Sequence, residues 1–488
     1  MVNLSHLISD NKIFDIVGGT ADEMGRECYV VGGYVRDIII GRPSKDIDFV
    51  TVGSGIDLAE AVGRKLGPKC HVNVYRTYGT AQLRRGETEL EFVGARKESY
   101  RRDSRNPIVE DGTLEEDIAR RDFTINAMAI CVNKGRFGHL VDCYDGLGDI
   151  ERKIIRTPLD PDITFSDDPL RMLRAIRFAT QLGFELYPAT FEAISRNASR
   201  IEIICKERIK DELYKIMASP KPSAGWILLQ KTGLLKIILP ELEAMKGVEV
   251  VNGRAHKDNF YHTMGVLDAV AERSDKVELR WAALFHDIGK PVTKHFDPVR
   301  GWTFRNHNYI GSKMIPRIYS RMKFPLGAEM KYVAKLVELH MRPIALVEDE
   351  VTDSAVRRLF NYAEDDIEDL MILARADITS RDEAKKARFL ANFEIVEEKF
   401  RATHAKDVER NRKNPVDGAE IMALFGIPQG PMVGEFTKPL KQAIKDCEIE
   451  DSREAAFRYI LELGRAKGLT PLFDPLADDC PKDAEPES

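Results

Sequence analysis

The chain has 488 residues, 43% of them apolar and 31% charged, with a formal net charge of −6. That length exceeds one ordinary core and predicts two to four domains, and the composition is that of a globular chain rather than a disordered or fibrous one. The acidic balance excludes nucleic-acid binding by bulk charge, so any such contact has to come from local basic surface.

In chain order, the N-terminus MVNLSHLISDNKIFDIV lacks a basic start followed by a long apolar run, which predicts no secretory signal. No run of about 18 apolar residues follows, so no membrane span is expected. The seven cysteines are scattered without a CxxC pair, which points to a reducing cytoplasm and away from a disulfide framework or zinc ribbon.

Residues Tyr29 to Thr51, YVVGGYVRDIIIGRPSKDIDFVT, carry the densest signal. An apolar strand runs into Gly32-Gly33, a helix start bearing Arg36 follows, and a second strand carries Asp46 and Asp48. Side chains two apart on a strand share a face, so both carboxylates point at one spot. Glycines let backbone amides approach phosphate, and Arg36 is a candidate triphosphate partner. Clustered carboxylates hold divalent metal against a nucleoside triphosphate. Glu91, in the strand LELEFVG, is either a third ligand or a solvent-facing strand residue. Further strands are predicted at NAMAICVN and HLVDCYDG, giving an α/β head over the first ~150 residues.

Arg120-Arg121-Asp122-Phe123-Thr124-Ile125-Asn126-Ala127 packs two cations, a carboxylate, a hydroxyl and an amide together, as suits a sugar-triphosphate site or a capped helix start. From Thr164 the pattern turns helical. SDDPLRMLRAIRFATQLGF predicts a helix N-capped at Ser166 or Asp167, with Asp168, Arg171 and Arg174 one turn apart on a common face. An Asp/Arg pair reading a Watson–Crick edge accepts the amine and ring nitrogen of cytosine or adenine and clashes with uracil or guanine. The alternative is an intrahelical salt bridge. Other candidate basic surface lies at Arg84-Arg85, Arg96-Lys97, Arg101-Arg102 and Arg177. Helices are predicted through RIKDELYKIMAS, HTMGVLDAVAERS, ELRWAALFHDIGK, AEMKYVAKLVELHM, VRRLFNYA, IEDLMILARADITS and EAKKARFLANFEIVEEKFRATH. A loop, KNPVDGAEIMALFGIPQGPMVGEF, then leads to a last helical hairpin, and the tail after Thr470 reads as disordered.

Taken in order, GGYVRDIIIGRPSKDIDF, EEDIARRDFTINAMA, VDCYDGLGDI, DDPLRMLRAIRFA and CKERIKDEL resemble the class II tRNA nucleotidyltransferase and bacterial poly(A) polymerase family, a branch of the DNA polymerase β superfamily. The resemblance implies an α+β chain: a small nucleotidyltransferase head with a mixed sheet at 1–158, a helical neck with base recognition and RNA binding at 159–245, a body at 246–400, a tRNA-binding helical tail at 401–470 and a disordered acidic terminus at 471–488. It implies Asp46 and Asp48 as the metal ligands, with Mg2+ the expected ion, Asp168 and Arg171 reading the incoming base, and Asp122 and Asn126 near the ribose; Gly32, Gly33, Arg36, Arg120 and Arg174 are the further nucleotide-binding candidates. It also implies that Lys97 to Glu116 is a mobile loop that helps change specificity from C to A. Two departures stand out: Asp167 where the family has Glu, and Cys205 where it has Ser.

In the C-terminal half, His262, His286-Asp287 and Asp377 occur in the order H…HD…D, which resembles the HD phosphohydrolase domain; imidazoles and carboxylates hold a divalent metal that activates water against a phosphoester. His307 and His340, between them, are candidates for phosphate or a second metal. The resemblance thus implies a CCA-adding enzyme using CTP and ATP on the tRNA acceptor arm, with a second metal-dependent phosphohydrolase site and no obligate protein partner. Competing readings are a poly(A) polymerase, an A-only or CC-only tRNA nucleotidyltransferase, and, from another class, an HD phosphohydrolase whose head only binds RNA.

Overall fold

A computed structural model describes residues 2–67, 70–99, 108–348, 353–378 and 415–476, with residues 387, 391, 394 and 398. The chain divides into two compact units, Met1–Arg280 with Arg317–Leu326, and Trp281–Pro316 with Gly327–Ser488. Both expected boundaries of the head and neck, at 158 and 245, fall inside the first unit, which also takes the start of the expected body. No described helix is long and apolar enough to cross a membrane.

The first unit opens with a mixed seven-stranded sheet. Its strands are β1 (Cys28–Val31), β2 (Asp46–Thr51), β3 (Val72–Tyr75), β4 (Thr80–Arg85), β5 (Thr88–Gly94), β6 (Met128–Cys131) and β7 (Leu140–Asp142). The spatial order is β3-β4-β5-β2-β1-β6-β7, with β2 and β5 parallel and the other pairs antiparallel. Alternation along β2 splits its side chains between two faces. Ile47 and Phe49 are buried, Phe49 stacking on Phe92 at 5.0 Å and touching Phe14 at 5.9 Å. Burying two such rings contributes roughly 2–3 kcal/mol each. The other face carries Asp46, Asp48 and Val50; there Val50 joins Tyr29, Val31, Ala129, Leu114 and Ile118 in a smaller core. The aromatic face therefore fixes the register that turns the acidic face outward, since a one-residue slip would reverse both.

All five expected strands form. The sequence reading missed β3 and β4, short segments interrupted by polar residues, and the hairpin of Arg96–Ser99 with Ile108–Asp111. That hairpin lies within the expected mobile loop, of which residues 100–107, including Arg101-Arg102, are outside the described residues.

The expected helix start at Ser166 or Asp167 is corrected. A separate helix, Pro161–Asp167, begins with Asp160 accepting from the Asp162 amide. Asp168 breaks it in an extended conformation (φ −132°, ψ 98°), and the next helix is α1 (Leu170–Leu182). Pro169 explains the break: it disfavours helical backbone at the preceding residue. Packed on α1 is α2 (Lys206–Met217), held by a buried ion pair of Arg177 with Glu212 at 3.0 Å.

In the second unit, described helices include α3 (Ala328–Leu339) and α4 (Ile367–Asp377). The segment EAKKARFLANFEIVEEKFRATH is described only at scattered helical positions, and residues 401–414 of the expected tail lie outside the described residues. The predicted loop KNPVDGAEIMALFGIPQGPMVGEF is corrected: it contains the helix Gly418–Phe425, closed at its start by reciprocal bonds between Asp417 and Glu420 and ended by Gly426 at φ +65°. This capping box and terminal glycine were present in the sequence. Two further helices, Pro431–Lys445 and Arg453–Ala466, complete a core of Ile421, Leu424, Phe436, Leu440, Phe457 and Ile460. Of the tail expected to be disordered, residues 471–476 are described, and the Leu472 amide donates to the Leu424 carbonyl at 2.8 Å.

Candidate functional site

Asp48 stands opposite Val31 on one side and Glu91 on the other, and Asp46 opposite Glu89. Partners in register share a sheet face, so Asp46, Asp48 and Glu91 form one acidic row. Burial pushes the Asp48 carboxyl up, with Asp46 adding to it and Arg121 opposing. Burial also raises Glu91, and the Asp48 charge raises it further. The row ends beside the glycine turn. Gly32 sits at φ +75°, and a Cβ there would lie 2.9 Å from Arg121 Nη1 and 3.6 Å from Asp48 Oδ2. Only glycine fits both the backbone angle and that gap. Carboxylate oxygens are hard donors of the kind that Mg2+ takes, so the donor chemistry of the row suits such an ion.

Arg120 and Arg121 both clamp Asp117, a fully buried carboxylate that the sequence reading missed. Arg121 donates to Asp117 Oδ2 from Nη2 at 2.9 Å, and Arg120 to Oδ1 from Nε at 3.0 Å. Burial opposes ionisation of Asp117, but the two guanidiniums prevail and its pKa lies below the usual value. The signal was available: positions i+3 and i+4 from Asp117 face it across one helical turn.

Arg36, expected to face triphosphate, is turned inward. It is buried, pairs with Asp37 through Nε at 2.9 Å and Nη2 at 3.0 Å, and donates from Nη1 to Asn126 Oδ1 at 2.6 Å. Asn126 donates onward to Asp122 Oδ1 at 3.0 Å, and Arg174 reaches Asp122 Oδ2 at 2.6 Å. Phe178, also missed, collects three cations: the guanidinium carbons of Arg177, Arg36 and Arg174 lie 4.0, 4.8 and 5.6 Å from its ring centre. Such cation–π contacts, with Asp122, Asp37 and Glu212, offset the mutual repulsion. Burial pushes Arg177 down to about 10 despite Glu212.

Burial works against Asp122, yet Arg174, the Asn126 amide and Arg171 hold it at about 2 rather than the ordinary 3.8. A depressed carboxylate contributes stability above its unfolded pKa and loses it as pH falls through the folded value. Asp122→Asn is therefore expected to destabilise the protein by roughly 2 kcal/mol at pH 7. The difference from wild type should shrink between about pH 4 and about pH 2. Urea unfolding across that range checks it; a pH-independent difference would show that the charge is not the cause.

The structure does not join Asp168 to Arg171. Among the described residues no ion pair links them. Asp168 Oδ1 accepts from the Leu170 amide at 3.1 Å and Oδ2 from Arg208 Nη2 at 3.3 Å, while Arg171 Nη2 donates to the Arg120 carbonyl at 2.7 Å. The shared helix face fails because Asp168 precedes the helix rather than lying in it.

In the second unit, His286, Asp287, His307, His340 and Asp377 come together. His286 and Asp287 follow the helix Val277–Phe285, His307 opens the helix His307–Met322, His340 follows α3 and Asp377 ends α4. His286 Nε2 lies 3.2 Å from Asp287 Oδ2 and 3.5 Å from Asp377 Oδ1. His307 and His340 point Nε2 at Asp287 Oδ1, at 3.3 and 3.9 Å. They thus face the same carboxylate as His286. Each of the three Nδ1 atoms lies 2.7–2.8 Å from a carbonyl three residues back. A carbonyl only accepts, so Nδ1 carries the proton. The Nε2 lone pairs of His307 and His340 then converge with the carboxylate, with no hydrogen bond for either among the described residues. Acceptors meeting acceptors in a buried space fit a divalent cation with imidazole and carboxylate ligands. Burial lowers His286, but Asp287 and Asp377 overcome it and raise it to about 10. Burial instead pushes His340 down to about 4. Gly289 makes the approach feasible: a Cβ there would lie 2.1 Å from the His307 carbonyl oxygen. His262 lies on the helix Asn259–Ala271 of the first unit.

Residues 28–156 match the model for the Poly A polymerase head domain, 183–246 the one for a probable RNA and SrmB-binding site of polymerase A, and 259–382 the HD domain. The chain is 32% identical over 440 residues to an A-adding tRNA nucleotidyltransferase of Deinococcus radiodurans, covering 87% of this chain and 93% of the relative. It is equally, 32%, identical to a CC-adding tRNA nucleotidyltransferase of Thermus thermophilus, covering 88% and 92%. Among solved structures it resembles the Thermotoga maritima CCA-adding enzyme complexed with tRNA, at TM-score 0.61 and 20% identity over 95% of this chain and 99% of that one. It also resembles a tRNA nucleotidyltransferase complexed with a primer tRNA and an incoming ATP analog, at TM-score 0.56 and 25% identity over 78% and 98%.

Proposed function

The chain belongs to the tRNA nucleotidyltransferase family, and on that premise we propose that it completes the CCA terminus of tRNA, using CTP and ATP without a template. The observation that carries the reading is the acidic row Asp46, Asp48 and Glu91 beside the glycine turn. Mg2+ held there would supply activation of the tRNA 3′ hydroxyl and stabilisation of the leaving pyrophosphate. Arg121, aimed past Gly32 by Asp117, faces the triphosphate. Arg36 serves as a strut that sets Asn126 and Asp122 for the ribose. Asp168 and Arg171 read the base, and Arg174 and Phe178 support them. Residues 1–158 form the head, 159–245 the neck, 246–400 the body and 401–470 the tRNA-binding tail. A cytoplasmic location goes with this reading.

His286, Asp287, His307, His340 and Asp377, with His262 by the HD pattern, would hold a divalent metal for phosphohydrolysis. The metal would supply water activation, and Lys290, 2.6 Å from Asp287, adds a cation beside the carboxylate.

A second reading, A addition alone, is favoured by 48% identity over 313 residues to an A-adding tRNA nucleotidyltransferase of Aquifex aeolicus, covering 64% of this chain and 36% of that one. One assay separates them. The enzyme is offered tRNA ending before CCA, or ending in CC, with CTP, ATP or both, and products are sized. Three added nucleotides are expected with both triphosphates. Addition only to tRNA ending in CC supports the A-adding reading, and long A tracts would overturn both.

A further inference from the structure

We infer that Arg208 is a specificity-determining positioning residue, which holds the Asp168 carboxylate away from Arg171 so that the two present separate groups to the incoming base. The inference rests on the base-reading roles proposed above. Asp168 and Arg171 are three residues apart and carry opposite charge, so their attraction draws them together unless other partners hold them. Self-pairing would spend the acceptor and the donor on each other and leave the base unread. The structure shows the pair held open from both ends. Arg208 takes Asp168 Oδ2 at 3.3 Å, the Leu170 amide takes Oδ1 at 3.1 Å, and the Arg120 carbonyl takes Arg171 at 2.7 Å. The remaining lone pairs of Asp168 and the remaining N–H groups of Arg171 can then meet the exocyclic amine and the ring nitrogen of cytosine or adenine.

Arg208 has a rigid base for this role. It lies on α2, whose Glu212 makes the buried 3.0 Å ion pair with Arg177 on α1, the helix that carries Arg171. One helix therefore fixes both the distance between the two elements and the carboxylate that reads the base. As a stability element the Arg208–Asp168 pair is minor, since Arg208 is 40% exposed and such pairs are worth little. Its effect belongs in selectivity.

The test is incorporation of each of ATP, CTP, UTP and GTP into tRNA ending in CC and tRNA ending before CCA, with Arg208→Gln, Arg208→Lys and Asp168→Ala beside wild type. Without Arg208, Asp168 closes on Arg171, so Arg208→Gln should lower kcat/KM for the accepted triphosphates about tenfold and narrow their advantage over UTP and GTP by about as much, the scale of one charged hydrogen bond. Its melting temperature should stay near wild type. Arg208→Lys, which keeps the charge without the planar fork, should fall between the two. Wild-type discrimination in Arg208→Gln, alongside lost discrimination in Asp168→Ala, would overturn the inference. Wild-type discrimination in Asp168→Ala would instead remove the base-reading roles. Should Arg208→Gln fail to fold, Arg208→Lys decides: reduced discrimination supports the inference, and wild-type discrimination overturns it.

Discussion

Asp48→Asn is expected to cut nucleotide incorporation by roughly 10⁴-fold, the equivalent of about 5 kcal/mol of transition-state stabilisation lost with one metal-binding carboxylate. Asp48 is the most consequential of the three acids by position. It lies between Glu91 on the neighbouring strand and the Gly32 turn, with Arg121 next to it, whereas Asp46 is exposed at the strand's start. The same substitution should leave the fold intact or firmer. Asp48 and Glu91 both sit above their ordinary values because burial opposes their charge, with Asp46 adding to the rise at Asp48 and Asp48 to the rise at Glu91. Removing one charge relieves that cost in the metal-free protein, so its melting temperature should not fall. Added Mg2+ should raise the melting temperature of wild type and not of Asp48→Asn. Incorporation within tenfold of wild type would remove Asp48 from the site.

The residues at the core of this prediction were legible in the sequence for a physical reason. Strand alternation is a local rule, so Ile47 and Phe49 facing one way imply Asp46 and Asp48 facing the other. The Gly32 turn was legible likewise, since a glycine between an apolar strand and a helix marks an unusual backbone angle. What stayed hidden depends on partners distant in the chain. Arg36 reads as a triphosphate partner until Asn126, ninety residues away, and Phe178 draw it inward. Asp168 and Arg171 read as an i, i+3 pair until Pro169 breaks the helix and Arg208 takes the carboxylate. Asp117 is the exception: its clamp on Arg120 and Arg121 is local and could have been found. Residues 418–425 were missed because glycine and proline on both sides suggested a loop, although Asp417 and Glu420 already spelled a capped helix start.

The second large effect lies in the other unit. Asp287→Asn is expected to abolish metal-dependent phosphohydrolysis, read with a chromogenic phosphodiester, by at least about 10³-fold, while incorporation stays within about threefold of wild type. Asp287 is the hub of the cluster: His286, His307, His340 and Lys290 all turn towards its two oxygens. Asparagine keeps the shape but offers one neutral oxygen and a donor amide, and the amide N–H would face the imidazole lone pairs that a cation needs. Binding of Mn2+ or Ni2+, followed by calorimetry, should weaken by at least about tenfold, and the rise in melting temperature on adding either ion should disappear. Metal binding is the sharper readout, because it tests the ligand set even without a known physiological phosphoester. Unchanged binding in Asp287→Asn would dissolve the proposed centre. Parallel loss of incorporation would mean that the cluster also supports nucleotide addition.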